Sequence, residues 1–132
     1  MKTNTKAVGE RTEGFILARL LQLGHSVSMP FGDNQRYDMI LDEDGKLYRC
    51  QCKTGRVFKN AVTFSVCSNN WLSGERYDYH GQIELFLVYC PQLQKFYRVP
   101  VEICGKKEFR LRIYMSATDK LRGYRAASDF EF

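Results

Sequence analysis

Asp38, Gln51 and Lys53 lie within one short stretch, and their types and spacing suit chemistry on a phosphate. The stretch, YDMILDEDGKLYRCQCK from Tyr37 to Lys53, reads as two strands joined by a tight turn. Asp38 sits on the first strand and the Gln51-x-Lys53 pair on the second. A hard divalent cation such as Mg²⁺ takes oxygen ligands, usually one or two protein carboxylates with water and substrate phosphate completing the shell. Asp38 offers one carboxylate, the Gln51 side chain a neutral carbonyl, and Cys52 its backbone carbonyl. Lys53 would then stand near the attacking water and the scissile phosphate, orienting the nucleophile and offsetting the charge that develops. Hydrolysis of a phosphodiester is the reaction such a set fits.

A second carboxylate must come from another element. Residues Thr5 to Leu23 read as a helix, with Asn4 or Thr5 as cap and Gly24 as terminator. Phe15, Ile16, Leu17, Leu20, Leu21 and Leu23 repeat at helical spacing. Projected back one turn, the stripe of Ile16, Leu17 and Leu20 reaches Glu13, while Glu10 falls in line with Leu17 and Leu21. Periodicity leaves both glutamates open.

The paired strands are expected over Tyr37 to Leu41 and Leu47 to Lys53, with Asp42-Glu43-Asp44-Gly45 as the turn. Residue 38 then lies opposite about residue 49, and Gln51 and Lys53 just beyond it. Alternation puts Tyr48, Cys50 and Cys52 on a core-like face and Arg49, Gln51 and Lys53 on a polar one. Before this pair, His25 to Met29 is a short extended stretch stopped by Pro30. After it, a turn at Thr54-Gly55-Arg56 leads to a strand from Ala61 to Cys67. Ser68 to Gly81 reads as a long polar loop in which Trp71, Tyr77 and Tyr79 either cover the core or, with Arg76, contact a ligand. Gln82 to Cys90 is the apolar central strand, Lys95 to Val99 its neighbour, and Phe109 to Met115 an edge strand turning Arg110 and Arg112 outward. Lys120, Arg122 and Arg125 make the tail basic, and Asp129 to Phe132 either tucks into the core or mediates self-association.

Composition narrows the classes. A chain of 132 residues with 44% hydrophobic and 27% charged residues is long enough for one real core, not two. The net charge of +5 is modest, but no acidic residue occurs from Gly45 to Gly74, where Lys46, Arg49, Lys53, Arg56 and Lys59 fall. That basic surface suits an anionic partner or, equally, a strand edge guarded by lysines. Five cysteines, an odd number without CxxC spacing, and no secretory leader point to reduced core residues in an intracellular, cytoplasmic setting. Cys50-x-Cys52, lacking a second cluster or a nearby histidine, reads as core packing rather than a metal site, and His25 and His80 as surface or hydrogen-bonded residues. The apolar runs FILARLL and ELFLVYC fall far short of the ~20 residues that span a bilayer, so no membrane partner is expected.

The order of helical Glu, strand Asp, hairpin and (D/E/Q)-x-Lys resembles the PD-(D/E)XK nuclease superfamily. Gly9-x-x-x-Glu13, the PFGDNQRYD stretch at Pro30 to Asp38, RCQCKTGR at Arg49 to Arg56 and the segment YHGQIELFLVYCPQLQKFYRVPV are similar to the group I intron-encoded homing endonucleases within it. Archaeal Holliday junction resolvases are a more distant likeness. The resemblance implies a single α/β domain over residues 1–132, a restriction-endonuclease-like mixed central sheet flanked by helices. It also implies Mg²⁺-dependent cleavage of duplex DNA, with Mn²⁺ as a substitute, by a homodimer or homotetramer. By position it makes Asp38 the metal aspartate, Gln51 the variable acidic position, Lys53 the catalytic lysine and Glu13, rather than Glu10, the helical glutamate. Arg36, Arg49, Arg56, Lys59 and Arg76 are the DNA contacts it leads one to expect. The chain departs from the pattern at Tyr37, where the family has proline, and at Gln51, where a neutral amide weakens metal affinity. A junction-resolving nuclease of the same fold, and a DNA-binding relative disarmed at Gln51, are the rival readings. A protein-interaction domain that uses the aromatic tail is a third.

Overall fold

The structure, a computed structural model, describes residues 4–69 and 73–132. Helix α1 spans Thr5–Gln22. The Asn4 side chain caps it by accepting from the Ala7 N–H at 3.1 Å, and Gly24, at φ 85°, ends it. Its buried line is Thr12, Ile16 and Leu20, four residues apart. This is narrower than the expected stripe, and Phe15, Leu21 and Leu23 lie exposed because the helix meets the sheet along one ridge only.

Ten strands follow in three sheets. They are β1 (Ser26–Ser28), β2 (Met39–Glu43), β3 (Lys46–Thr54), β4 (Arg56–Phe58), β5 (Ala61–Ser65), β6 (Cys67–Asn69), β7 (Arg76–Asp78), β8 (Leu85–Cys90), β9 (Lys95–Pro100) and β10 (Glu108–Arg112). The main sheet runs β1-β2-β3-β8-β9; β3 and β8 are parallel and the other pairs antiparallel, so the sheet is mixed. The β2–β3 turn is tighter than expected. Asp44 (φ 53°) and Gly45 (φ 83°) alone form it, both left-handed, as a two-residue hairpin turn requires. Met39 therefore pairs with Cys50, a register two residues further along β3 than expected.

Two clusters form the core, one on each face of the main sheet. Met39, Leu41, Cys50, Leu85 and Leu87 pack with Ile16 and Leu20 of α1. Phe86, Val88, Tyr97 and Val99 face the other way and pack with Val62, Phe64 and Leu111 of a second sheet, ordered β10-β5-β4. Alternate residues of β8 enter alternate clusters, so this strand is apolar throughout, as a strand covered on both sides must be. The face of β3 bearing Gln51 and Lys53 is thus not a plain solvent face, because the second sheet covers its continuation on β8.

Two further expectations change. The stretch from Ser68 to Gly81 is not all loop, since β6, which begins at Cys67, pairs antiparallel with β7 inside it; strands of three residues are too short for an alternation to read. Trp71 lies outside the described residues. The strand expected over Phe109 to Met115 ends at Arg112, where the chain turns toward a short helix α2 (Ala117–Leu121) closed by a Ser116–Asp119 capping box. The final residues tuck in: Phe132 N–H donates to Phe96 O at 3.0 Å and Arg98 N–H to Phe130 O at 2.7 Å, covering the open edge of β9. No described helix is long and apolar enough to cross a membrane.

Gly55, directly after β3, lets the two sheets close. A Cβ there would lie 2.9 Å from Val62 Cγ1 and 3.0 Å from Val88 Cγ1, two buried and rotamerically stiff side chains. Gly55→Ala is expected to destabilise the fold by about 1–3 kcal/mol, the usual cost of overpacking. A urea denaturation midpoint equal to that of the parent would show that the sheets can part there without cost.

Candidate active site

The hairpin and α1 bring three of the four sequence-selected residues toward one another from different elements, and the fourth, Gln51, lies on β3 between Cys50 and Cys52. Asp38 precedes β2, and its N–H donates to Cys50 O at 2.8 Å. Its carboxylate Oδ2 accepts from the Cys52 N–H at 2.8 Å, which fixes the acid against β3. In an antiparallel ladder the N–H and C=O of one residue point to the same side. The Cys52 carbonyl therefore leaves β3 on the same side as its N–H. Gln51, half-buried, pairs with Phe86 of β8.

Glu13 comes from α1, beside buried Thr12, and lines with Asp38 a cleft of ≈ 260 Å³ under the loop that carries Gly32, Asp33 and Gln35. Glu10 is exposed, one turn away from the cleft. The Glu13 carboxyl is pushed above its ordinary value, first by burial, then by the charges of Asp38 and Glu10. Burial also raises Asp38, against the opposing pull of the Cys52 N–H and the Lys53 charge. Two carboxylates thus crowd one partly desolvated space with little protein charge to neutralise them. Among the described residues no group of three His, Cys, Asp or Glu side chains is placed to hold a metal ion.

Lys53 is positioned by contacts that local sequence does not reveal. Its Nζ donates to Cys67 O at 3.3 Å and sits 5.0 Å from the centre of the Tyr79 ring. Tyr79 is buried edge-on against Phe86 and also carries the Arg36 guanidinium 4.1 Å from its ring centre. A cation over such a desolvated ring gains on the order of 1–2 kcal/mol. One residue on either side of the selected acid and lysine, the hydroxyls of Thr12 and Thr54 meet at 2.6 Å and tie α1 to the end of β3. Neither Tyr79 nor this threonine pair was among the expected site residues, because each depends on a contact between distant segments.

The expected DNA contacts divide. Arg49 is engaged in the fold, its Nε donating to both Glu84 carboxylate oxygens at 3.1 and 3.0 Å and its Nη2 closing the pair. That bond holds Glu84 below the ordinary carboxylate range. Arg36 donates to Tyr77 O at 3.3 Å and Asp78 O at 3.2 Å, strapping the loop to β7. Both guanidiniums thus already have partners within the fold. Arg56, Lys59 and Arg76 are exposed. Cys50 is fully buried with its thiol pushed up to about 12, and burial holds Cys52 well above its ordinary value. Both cysteines therefore stay neutral and serve as packing.

Comparison with known proteins follows the geometry. No curated protein matches the chain. Among solved structures, that of a bacterial homing endonuclease, I-Ssp6803I, superposes with a TM-score of 0.76, covering 98% of this chain and 89% of that chain at 23% identity. The likeness extends to the restriction-endonuclease-like mixed sheet and its helical cover. The family model of the PD-(D/E)XK endonuclease matches residues 3–132. With nearly its whole length matched, the chain belongs to the PD-(D/E)XK endonuclease family.

Proposed function

We propose that the chain is a divalent-metal-dependent deoxyribonuclease that cuts the phosphodiester backbone of duplex DNA. The observation that carries this reading is the convergence of the Glu13 and Asp38 carboxylates in one cleft beside the strand that bears Lys53. Such a donor set fits a hard cation: all available ligands are oxygens, the neighbouring thiol is neutral, and the two acids repel each other. Asp38 and Glu13 would hold Mg²⁺ or Mn²⁺, with the Cys52 carbonyl and the Gln51 amide oxygen as neutral partners. The bound ion would supply Lewis acidity at the phosphate and a water of lowered pKa.

The protein groups have separate tasks. The Cys52 N–H orients Asp38, leaving the other carboxylate oxygen for the ion. The Cys67 carbonyl and the Tyr79 ring hold the Lys53 ammonium in place, where it orients the attacking water and offsets charge on the phosphorane. Gln51 reduces the negative charge of the set, which lowers metal affinity relative to a carboxylate there. Cutting both strands requires two such sites, so a symmetric homodimer or homotetramer is the acting form. The fold likeness to a homing endonuclease supports duplex DNA over branched DNA as substrate.

Two measurements test this. With Mg²⁺ and a linear duplex library beside a four-way junction, the parent is expected to cut the duplex, and Lys53→Ala and Asp38→Ala to cut at least about a hundredfold more slowly. Unimpaired cutting by both variants would falsify the assignment. Selective cutting of the junction would assign a resolvase instead, and salt-sensitive binding without any cleavage a disarmed DNA binder.

The second measurement uses the raised carboxyls. Both acids take up protons more readily folded than unfolded, so the folded state binds more protons above the ordinary values of 4.5 and 3.8. Stability of the metal-free protein therefore falls as pH rises through the raised range. Glu13→Gln should melt higher than the parent at pH 7 without metal, and the difference should vanish near pH 3, where both states are protonated. Millimolar Mg²⁺ should raise the parent's midpoint and not that of the variant. A lower metal-free midpoint for Glu13→Gln at pH 7 contradicts the crowded-carboxylate account.

A further inference from the structure

Beside Lys53 lies a second, open groove of ≈ 440 Å³ that shares no lining residue with the carboxylate cleft. Its cations are Arg56, Arg76 and Lys107, and its hydroxyls those of Thr54, Thr63 and Ser65. Glu108 is the acidic residue of the groove, already shared between Arg56 and Arg110 at 3.7 Å each. Among the described residues Arg76 and Lys107 make no ion pair, so the groove is left with an excess of positive charge.

One observation points to a missing ligand. Thr63 is 1% exposed, and its hydroxyl is the buried side-chain polar atom that finds no hydrogen-bond partner among the described residues. Directly opposite it across the two flanking strands stand Arg56 and Arg110, long exposed side chains that can swing aside. Unpaired buried hydroxyls are rare because each forfeits its hydration without replacement. The groove also touches the lysine. Thr54 follows Lys53 in the chain, and Cys67, whose carbonyl receives the Lys53 ammonium, lines the groove.

We propose that this groove seats a phosphate of the DNA strand neighbouring the one that Lys53 faces. Arg76 and Lys107 supply charge, Arg56 turns from Glu108 to join them, and the phosphate gives the Thr63 hydroxyl its acceptor. The inference rests on the nuclease reading for the position of the scissile phosphate, but its test is binding rather than cleavage. A contact so close to the reacting group fixes register along the backbone without reading bases.

The test is fluorescence-anisotropy titration of a labelled duplex at several salt concentrations, in the Lys53→Ala background and without divalent metal so that no cutting occurs. Each phosphate contact contributes about 0.9 to the slope of log affinity against log salt. Lys107→Gln and Arg76→Gln should each lower the slope by about 1, while Lys95→Gln, whose lysine pairs with Glu131 on the far edge, should leave it unchanged. Thr63→Val should bind the duplex more weakly, about threefold or more, although removal of an unpaired hydroxyl raises its thermal midpoint. A purely structural Thr63 gives the rise in midpoint with unchanged binding, and that result, or parental slopes in both cation variants, overturns the proposal. Loss of cleavage in Lys53→Ala bears on the nuclease assignment alone, so the two readings fail separately.

Discussion

The site depends first on the register of one hairpin. With Asp44 and Gly45 alone in the turn, Met39 meets Cys50 and Asp38 reaches the Cys52 N–H. Strand side chains alternate, so a slip of one residue would carry Gln51 and Lys53 to the face covered by α1 and turn Cys50 and Cys52 to the opposite one. Burial opposes such a slip from both sides. Cys50, Leu85 and Leu87 are locked against Ile16 and Leu20, while Phe86 and Val88 are locked against Val62 and Phe64. The left-handed turn residues and the two-faced core thus specify one register together, and the chemistry inherits it.

The second sheet has a double part. It buries the outer half of the main sheet, and where its cover ends it leaves Lys53 between the Cys67 carbonyl and the Tyr79 ring. A lysine on a strand face is ordinarily mobile and solvated. Here a carbonyl and a buried aromatic confine it, Cys67 at the start of β6 and Tyr79 directly after β7. The opposite strain appears in the cleft. Burial raises the carboxyls of both Glu13 and Asp38, and the Asp38 charge raises Glu13 further, a local destabilisation that a bound cation would reverse. The Thr12–Thr54 contact and the β3 end it anchors keep the two sides from separating under that repulsion.

The same arrangement explains why arginines nominated alike have different fates. Arg49 and Arg36 sit near the hairpin, where Glu84 and the β7 carbonyls are within reach, and their charge is absorbed by the fold. Arg56 of β4 and Arg76 of β7 line the open groove, where Glu108 is the acidic residue. Count and spacing of basic residues cannot separate these cases. The partner of each is supplied by a segment dozens of residues away.

Residue types and short-range spacing determined a good deal by themselves. The capped helix with Glu13, the hairpin with Asp38 and Gln51-x-Lys53, the two-sided apolar run of β8 and the neutral packing cysteines were all legible, because each rests on periodicity, turn chemistry or a motif contained within a few residues. The exact turn, the short polar strands β6 and β7 and the small helix α2 were not, since they carry too few residues for a pattern. Only the tertiary structure decided that Tyr79 and Cys67 hold Lys53, that Glu84 occupies Arg49, that Glu13 meets Asp38 in one cleft, and that Thr63 is left without a partner. These are contacts between residues far apart in the chain, and the packing of the second sheet and α1 against opposite faces of the main sheet brings them together.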